Sequence, residues 1–217
     1  NDLDKFRLRL ALVDYFRDAF GVGDVTDHDA VRRFYDELNQ VNEGYTSEGR
    51  SYVYNFVSAK VDDETVPQED LLRYDENLKE HMEKVNENRS TPIVLKPFQV
   101  LAGLMSEAYL DWMLGEPEAF LDRLNVFVED YNDEHKGRIK YPKFSEDDLN
   151  TAAFWMATGS GKTLLMHLNY YQSLHYADEY DEEPDNILLV TPNEGLSQQH
   201  IEKFRESGIP RRHFNAE

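Results

Sequence analysis

The chain has 217 residues, no cysteine and a formal net charge of −20, from 23 Lys and Arg against 43 Asp and Glu. Without cysteine, disulfides and cysteine-based metal sites are excluded, and a reducing, cytoplasmic location is expected. The sequence contains no run of about 18 apolar residues, and its charged start, NDLDKFRLRL, does not suit a secretory signal. We therefore expect no membrane contact.

The acidic residues are spread along the whole chain and form no single tail. Two interpretations follow from this. The carboxylates form a surface for a partner, or they hold water and keep the protein soluble in concentrated salt. We favour the second, because lysine is scarce and the pattern resembles proteins of halophilic microbes. Dense negative charge does not exclude nucleic-acid binding, since local patches can still be basic.

The first part of the chain, residues 1–92, is predicted to be a helical N-terminal region without a motif that indicates a function. Leu71, Leu78 and Val85 recur seven residues apart, which predicts a packing face on one helix. Residues 50–59 remain ambiguous, because their aromatic residues alternate as in a strand but the segment also suits a short helix.

Two further helices are predicted in the middle of the chain, the first from Pro97 to Gly115 and the second from Pro117 to about Asn132. Residues 132–150 are polar and are predicted to form a loop. Beyond them the pattern changes to TAAFWMA, GKTLLMHLNYYQSLHY, NILLVTP and EGLSQQHIEKFRESG. This order of strand, helix, strand and helix predicts a parallel α/β sheet.

A glycine-rich loop, ATGSGKT, lies between the first predicted strand and its helix. Its glycines allow backbone N–H groups to turn inward around phosphate oxygens. Lys162 is placed to reach the β and γ phosphates, and Thr163 to hold Mg²⁺ through its hydroxyl. These two residues are the catalytic candidates. The residues expected to bind the nucleotide at this loop are Thr158, Gly159, Ser160, Gly161, Lys162 and Thr163.

The loop departs from the general phosphate-loop pattern, because Met156 stands where the first glycine is expected. In this form, MATGSGKT resembles the Walker A loop of superfamily 2 DEAD/DEAH-box helicases. Within them it is most similar to the Res subunits of type III restriction enzymes. The resemblance implies a RecA-like ATPase domain that begins near residue 93, with 116–150 as an insertion.

The segment LLVTPNEGLSQQHIEKF resembles motif Ia of the same superfamily, which contacts the nucleic-acid backbone. The resemblance therefore implies nucleic-acid contacts for Pro192, Asn193 and Gln199. A plain turn capped by Asn193 or Ser197 is the alternative. A strand end and a helix N-terminus would present N–H donors to phosphate in either case.

Upstream, LKPFQ resembles the superfamily segment whose glutamine contacts the adenine edge, which implies this role for Gln99. A side-chain amide suits that task, because it donates and accepts hydrogen bonds at once. Phe98 is an alternative contact for the base, or a core residue. The spacing between Gln99 and Lys162 is longer than usual for the superfamily, hence the assignment of 116–150 as an insertion.

The resemblance implies ATP and Mg²⁺ as cofactors, DNA in preference to RNA as the partner, and a modification or nuclease subunit as a further partner. The acidic motif II of the superfamily is not found. DEEPD, residues 181–185, precedes the predicted strand and does not end it. We therefore interpret the chain as the N-terminal part of a helicase or translocase that is inactive by itself.

Two other functions remain open from the sequence. One is a P-loop ATPase or nucleotide kinase without a nucleic-acid role, which the TPNEGLSQQ segment disfavours. The other is a non-catalytic module in which residues 1–90 bind a partner subunit.

Overall fold

Helices make up the regular structure of the computed structural model, which describes residues 2–23, 27–134, 140–153, 156–182 and 186–212. In chain order the helices are α1 (Asp2–Ala19), α2 (His28–Leu38), α3 (Tyr52–Ser58), α4 (Gln68–Asn86), α5 (Pro97–Gly115), α6 (Pro117–Glu134), α7 (Glu146–Leu149), α8 (Lys162–Glu179) and α9 (Glu194–Glu206).

Local sequence explains where most of these helices begin. The Asp27 side chain accepts hydrogen bonds from the first N–H groups of α2, and Ser51 does the same for α3. Pro97 and Pro117 stand at the first positions of α5 and α6, where a missing N–H removes no helical bond. The predicted helix from Pro97 to Gly115 is confirmed, and the ambiguous segment 50–59 is resolved as helix α3.

Three long helices, α4, α5 and α8, form the centre of the fold. Residues of α5 meet residues in and next to α8 in the same order along both helices. Gln99, near the start of α5, bonds to Ser160, and Asp111, near its end, bonds to Tyr180. These two helices are therefore parallel, and their N-terminal ends lie side by side. Tyr74 of α4 donates to the same Asp111 at 2.6 Å, which ties all three helices together at the opposite end.

The closest approach within this trio is at Gly103 of α5. A Cβ built there would lie 2.7 Å from Leu78 Cδ1 on α4 and 3.3 Å from Leu168 Cδ2 on α8. A larger residue there would require the Leu78 side chain to move, since protein interiors have little spare volume. Gly103 therefore allows close packing of α5 against α4 and α8.

A second packing centre joins α1 to α5 and α6 through aromatic rings. Phe16 stacks on Trp112 with centroids 5.6 Å apart, and Phe120 of α6 lies 5.5 Å from the same indole. The segment after α6 returns along it in an extended conformation. Asn132 and Asn125 each form two hydrogen bonds to its backbone, at Tyr141 and Phe144 respectively.

The predicted α/β parallel-sheet fold is wrong for the described part of the chain. No strand or sheet occurs there, and the only pairing of this kind is an isolated antiparallel bridge between Tyr45 and Ser51. The predicted strand 186–192 has no regular secondary structure and no strand partner among the described residues, and Leu188 is 74% and Val190 89% exposed. The other predicted strand, 151–157, is not formed by those of its residues that the structure describes. Phe154 and Trp155 lie outside the described residues.

The physical reason for this difference is that a strand is defined by its neighbour and not by its own composition. A parallel sheet needs partner strands and helices that cover both of its faces. Here α8 packs against α4 and α5, and its buried face is covered by helices. The short apolar run at 186–192 fits a buried strand in the sequence, but hydrophobicity alone does not supply a partner.

One continuous apolar core extends across most of the described chain. It includes Leu78 and Leu104, which lie on opposite sides of the domain boundary predicted near residue 92. The division into 1–92 and 93–217, and the insertion at 116–150, remain predictions.

Candidate functional site at the glycine-rich loop

The glycine-rich loop makes a tight turn into α8. Gly159 and Gly161 have φ values of +81° and +91°, in the left-handed region that residues with a Cβ rarely adopt. Gly161 is the N-cap of α8, so the turn brings the chain directly into the first helical residue, Lys162. The predicted order of loop and helix is therefore present, although no strand among the described residues precedes it.

Lys162 closes the loop on itself. Its Nζ donates to the carbonyl oxygens of Met156 at 3.0 Å and Ala157 at 2.9 Å. The hydroxyl of Ser160 also donates to Ala157 O, at 2.6 Å. The ammonium group is exposed, and an incoming anion would have to draw it away from these two carbonyls.

Three consecutive backbone donors lie at the start of α8. Among the hydrogen bonds of the described residues, the N–H groups of Gly161, Lys162 and Thr163 have no acceptor, as expected for a helix N-terminus. Together with the positive end of the helix dipole, such donors favour an anion. The loop therefore has the chemistry of a phosphate site.

Gln99 lies against this loop, although Ser160 is 61 positions further along the chain. It is 6% exposed, its Oε1 accepts from Lys96 N at 2.8 Å, and its Nε2 donates to Ser160 O at 2.8 Å. Both halves of the amide are thus already bonded within the protein. Phe98, the alternative base contact, is half-buried and packs against the core.

Two helix N-termini meet at this loop, an arrangement that no sequence pattern indicated. Gln99 is in the first turn of α5 and Lys162 is the first residue of α8, so the parallel pair directs both positive dipole ends to one place. Two positive dipole ends at one place favour a negative charge there. A phosphate group at the loop would supply that charge.

Thr163 and Gln199 line the same cavity, about 310 Å³ in volume, between the first turn of α8 and α9. The remaining wall residues, which the sequence did not single out for this purpose, are Leu196, His200, Glu202 and Lys203. The Mg²⁺ candidate and one nucleic-acid candidate are therefore neighbours.

The other two nucleic-acid candidates are exposed at the start of α9. Pro192 lies on the surface, and the Asn193 side chain accepts from Leu196 N at 3.0 Å as the N-cap of α9. The capping role considered in the sequence is thus present. The cap uses the side-chain oxygen of Asn193, Oδ1, and leaves the side-chain NH₂ group available.

Acidic side chains are sparse around the loop in the described residues. Asp181 follows the far end of α8, a helix of 18 residues that is about 27 Å long at 1.5 Å per residue. Glu202 lines the cavity next to Thr163. No cluster of three or more His, Asp and Glu side chains suited to a metal occurs in the described ranges, and no helix in them has the length and apolar character to span a bilayer.

Comparison with known families gives a match over part of the chain. Residues 119–216, or 98 of 217, match a family model, and this segment contains the glycine-rich loop and α9 but not Gln99. The family is one of helicase-type ATPases. Its description is type III restriction enzyme, res subunit, so the resemblance seen in the sequence is confirmed over this segment. No curated protein and no solved structure matches the chain.

Proposed function

We propose that this chain forms the ATP-binding part of a DNA helicase or translocase that acts in restriction or another defence against foreign DNA. The family match supports a helicase-type ATPase. The observation that carries the proposal is the row of N–H groups at Gly161, Lys162 and Thr163, which have no acceptor among the described residues and lie where the N-termini of α5 and α8 meet.

In this proposal ATP with Mg²⁺ is the ligand, and the loop from Thr158 to Thr163 surrounds its phosphates. Lys162 leaves the carbonyls of Met156 and Ala157 and contacts the β and γ phosphates, while Thr163 holds Mg²⁺ through its hydroxyl. The hydrogen bond from Gln99 Nε2 to Ser160 O then breaks, and this Nε2 group contacts adenine.

DNA is proposed to bind along the start of α9 through Pro192, Asn193 and Gln199. Gln199 and Thr163 line the same cavity, which supports DNA and nucleotide sites that lie close to each other. Further partners proposed for the whole protein are a modification or nuclease subunit.

Nucleotide binding is tested by titration of a fluorescent ATP analogue with Mg²⁺. We expect Lys162→Ala to weaken binding at least about tenfold, since a charge-assisted hydrogen bond to phosphate is worth on the order of 1.5–3 kcal/mol. Lys140→Ala, which removes an exposed lysine far from the loop in sequence, is the matched control and should bind normally. Equal affinity in the wild type and Lys162→Ala would refute the phosphate assignment.

DNA binding is tested by titration of labelled single-stranded DNA, with RNA of the same sequence in parallel. Gln199→Ala should weaken binding, whereas Gln198→Ala, its exposed neighbour outside the cavity, should not. Nucleotide binding without any DNA or RNA binding would favour the ATPase or kinase alternative. Absence of both would favour a partner-binding module.

A further inference from the structure

The C-terminal end of α9 is attached to the helical core. Ser207, which directly follows α9, has 0% of its surface exposed, whereas α9, which the structure describes in full, contains no buried residue. The Ser207 hydroxyl lies 2.8 Å from His167 Nδ1, and the Ser207 carbonyl oxygen accepts from the Tyr171 hydroxyl at 2.6 Å. Apolar contacts lie at the same end, where Ile209 is 3% exposed and the ring centroids of Phe204 and His167 are 5.0 Å apart. His167 and Tyr171 belong to α8, the helix that follows the glycine-rich loop.

Arg89 holds the same end of α9 from another side. It follows α4, in the part of the chain where the sequence contains no motif that indicates a function. Its guanidinium donates to Ser207 Oγ at 2.7 Å, to Glu206 Oε2 at 2.9 Å and to Val85 O at 3.1 Å. The Arg89 side chain is only 12% exposed, so these three bonds are largely shielded from water.

The negative ends of two helices meet at this guanidinium. Val85 is in the last turn of α4 and Glu206 is the last residue of α9. The last carbonyl groups of a helix have no partner within it, and a cation near them is favourable whereas a carboxylate is not. Arg89 therefore compensates both helix ends and the charge of Glu206 at once. This requires several donors in one plane, which arginine has and lysine lacks.

No comparable attachment exists nearer the start of α9 in the described residues. Among them, four hydrogen bonds join α9 and Ser207 to other helices, and all four are at Glu206 or Ser207. Arg89 supplies two of these bonds. Nearer its start, α9 borders the cavity of about 310 Å³ through Gln199, and Asn193 caps the helix at the surface. The residues proposed to contact DNA are thus on the unattached half of α9, so their position depends on how the C-terminal end is held.

We propose that Arg89 is a positioning residue for nucleic-acid binding, which acts by holding the C-terminal end of α9 on α4 and α8. Loss of Arg89 leaves the contacts of His167 and Tyr171 in place, so α9 is loosened and not released. The helical N-terminal region thereby takes part in a site that is formed far later in the sequence. The anchoring of α9 follows from the contacts alone, whereas the effect on nucleic acid rests on the proposed function.

The anchoring is tested without nucleic acid, by hydrogen exchange of α9 in the 217-residue protein under conditions in which every variant is folded. Arg89→Ala should speed the exchange of residues 200–206 at least about tenfold, since hydrogen bonds from charged groups are the stronger ones. Exchange within α5 should not change. Arg89→Lys keeps the charge but cannot reach all three acceptors, so it should give a smaller increase in the same residues.

Arg123→Ala is the matched control. Arg123 also donates to a carboxylate, that of Glu116 at 2.7 Å, but it lies on α6, so its loss should leave the exchange of α9 unchanged. Equal exchange of α9 in the wild type and Arg89→Ala, or an equal increase in Arg123→Ala, would overturn the anchoring. If Arg89→Ala does not fold, the comparison of the wild type with Arg89→Lys decides in the same way.

The effect on nucleic acid is tested by titration of labelled single-stranded DNA at several KCl concentrations. Arg89→Ala should weaken binding about tenfold, and so should Ser207→Ala, which removes an acceptor of Arg89 without a change of charge. Arg123→Ala should bind normally. The slope of log affinity against log salt should be the same in Arg89→Ala and the wild type, because this slope counts the cations that neutralise phosphates.

Other results would separate the possible roles of Arg89. A slope that becomes shallower by about 0.7 in Arg89→Ala, with normal binding by Ser207→Ala, would mean that Arg89 contacts phosphate directly and would overturn the positioning role. Equal affinity of Arg89→Ala and the wild type would overturn the effect on nucleic acid. If the wild type itself binds no nucleic acid while Arg89→Ala still speeds the exchange of α9, the proposed function is refuted and the anchoring stands.

Discussion

Gln99 Nε2 and the carbonyl oxygen of Ser160 lie 2.8 Å apart, and this bond joins the first turn of α5 to the glycine-rich loop. The same bond also explains why a glycine, Gly161, follows Ser160. A Cβ built on Gly161 would lie 2.3 Å from Gln99 Nε2, whereas one on Gly159 would meet nothing within 4 Å. Both glycines have positive φ, but only Gly161 must also leave room for a side chain from another helix.

Gly161→Ala should therefore damage the loop more than Gly159→Ala does. Each variant loses roughly 1 kcal/mol of unfolding free energy because of its positive φ. Gly161→Ala also breaks the Gln99 contact. Thermal unfolding and ATP-analogue binding measure both effects.

A double variant isolates the contact between the two residues. Gln99→Ala removes the amide that the new methyl group would strike, so adding Gly161→Ala to it should cost less than adding Gly161→Ala to the wild type. Strictly additive losses would show that the Cβ and the amide do not interact.

Stability should depend on pH through Glu107. The folded protein holds this proton more tightly than the unfolded chain, with a pKa of about 7 against 4.5. The unfolding free energy of the wild type should therefore fall as the pH rises from 4.5 to about 7, by at most roughly 3 kcal/mol, and then level off.

Glu107→Gln has no proton to lose at this position, so its stability relative to the wild type should increase over that pH interval. Urea unfolding at pH 4.5, 6, 7 and 8 measures the difference. An equal decline in both proteins would assign the pH dependence to other groups.

Asn125 should stabilise the extended segment that follows α6. Its amide accepts from Phe144 N at 2.8 Å and donates to Phe144 O at 3.1 Å. Asn125→Ala leaves two backbone groups without these partners, which should lower the unfolding free energy by about 1–3 kcal/mol. It should also speed hydrogen exchange at Phe144. The neighbouring Val126→Ala, at a side chain that is 56% exposed, should change little and serves as the control.

Salt should stabilise the protein, because a net charge of −20 repels itself in the compact state. The Debye length falls from about 30 Å at 0.01 M to about 3 Å at 1 M salt, so distant carboxylates cease to interact. The melting temperature should rise across a KCl series between these limits. A series in sucrose separates this from general solute exclusion. A flat or falling melting temperature in KCl would contradict the expectation.

Local sequence was sufficient for features that depend on neighbouring residues. Pro97 and Gly115 mark the ends of α5, and the glycines of ATGSGKT have the left-handed backbone expected of a tight turn into α8. The same short segment also carried the family resemblance, which the match over 119–216 confirms. These features are set within a few residues of chain, where steric limits and capping act.

Only the tertiary structure decided which distant groups meet. The apolar run 186–192 has the composition of a strand but no partner, so the predicted sheet is absent from the described residues, and α8 packs on helices instead. Gln99 reaches Ser160, and Glu107 lies buried between α4 and α8, where Gly103 allows close packing of the helices. Periodicity reports that a face is apolar, but the neighbour that covers it is chosen by packing across the whole chain.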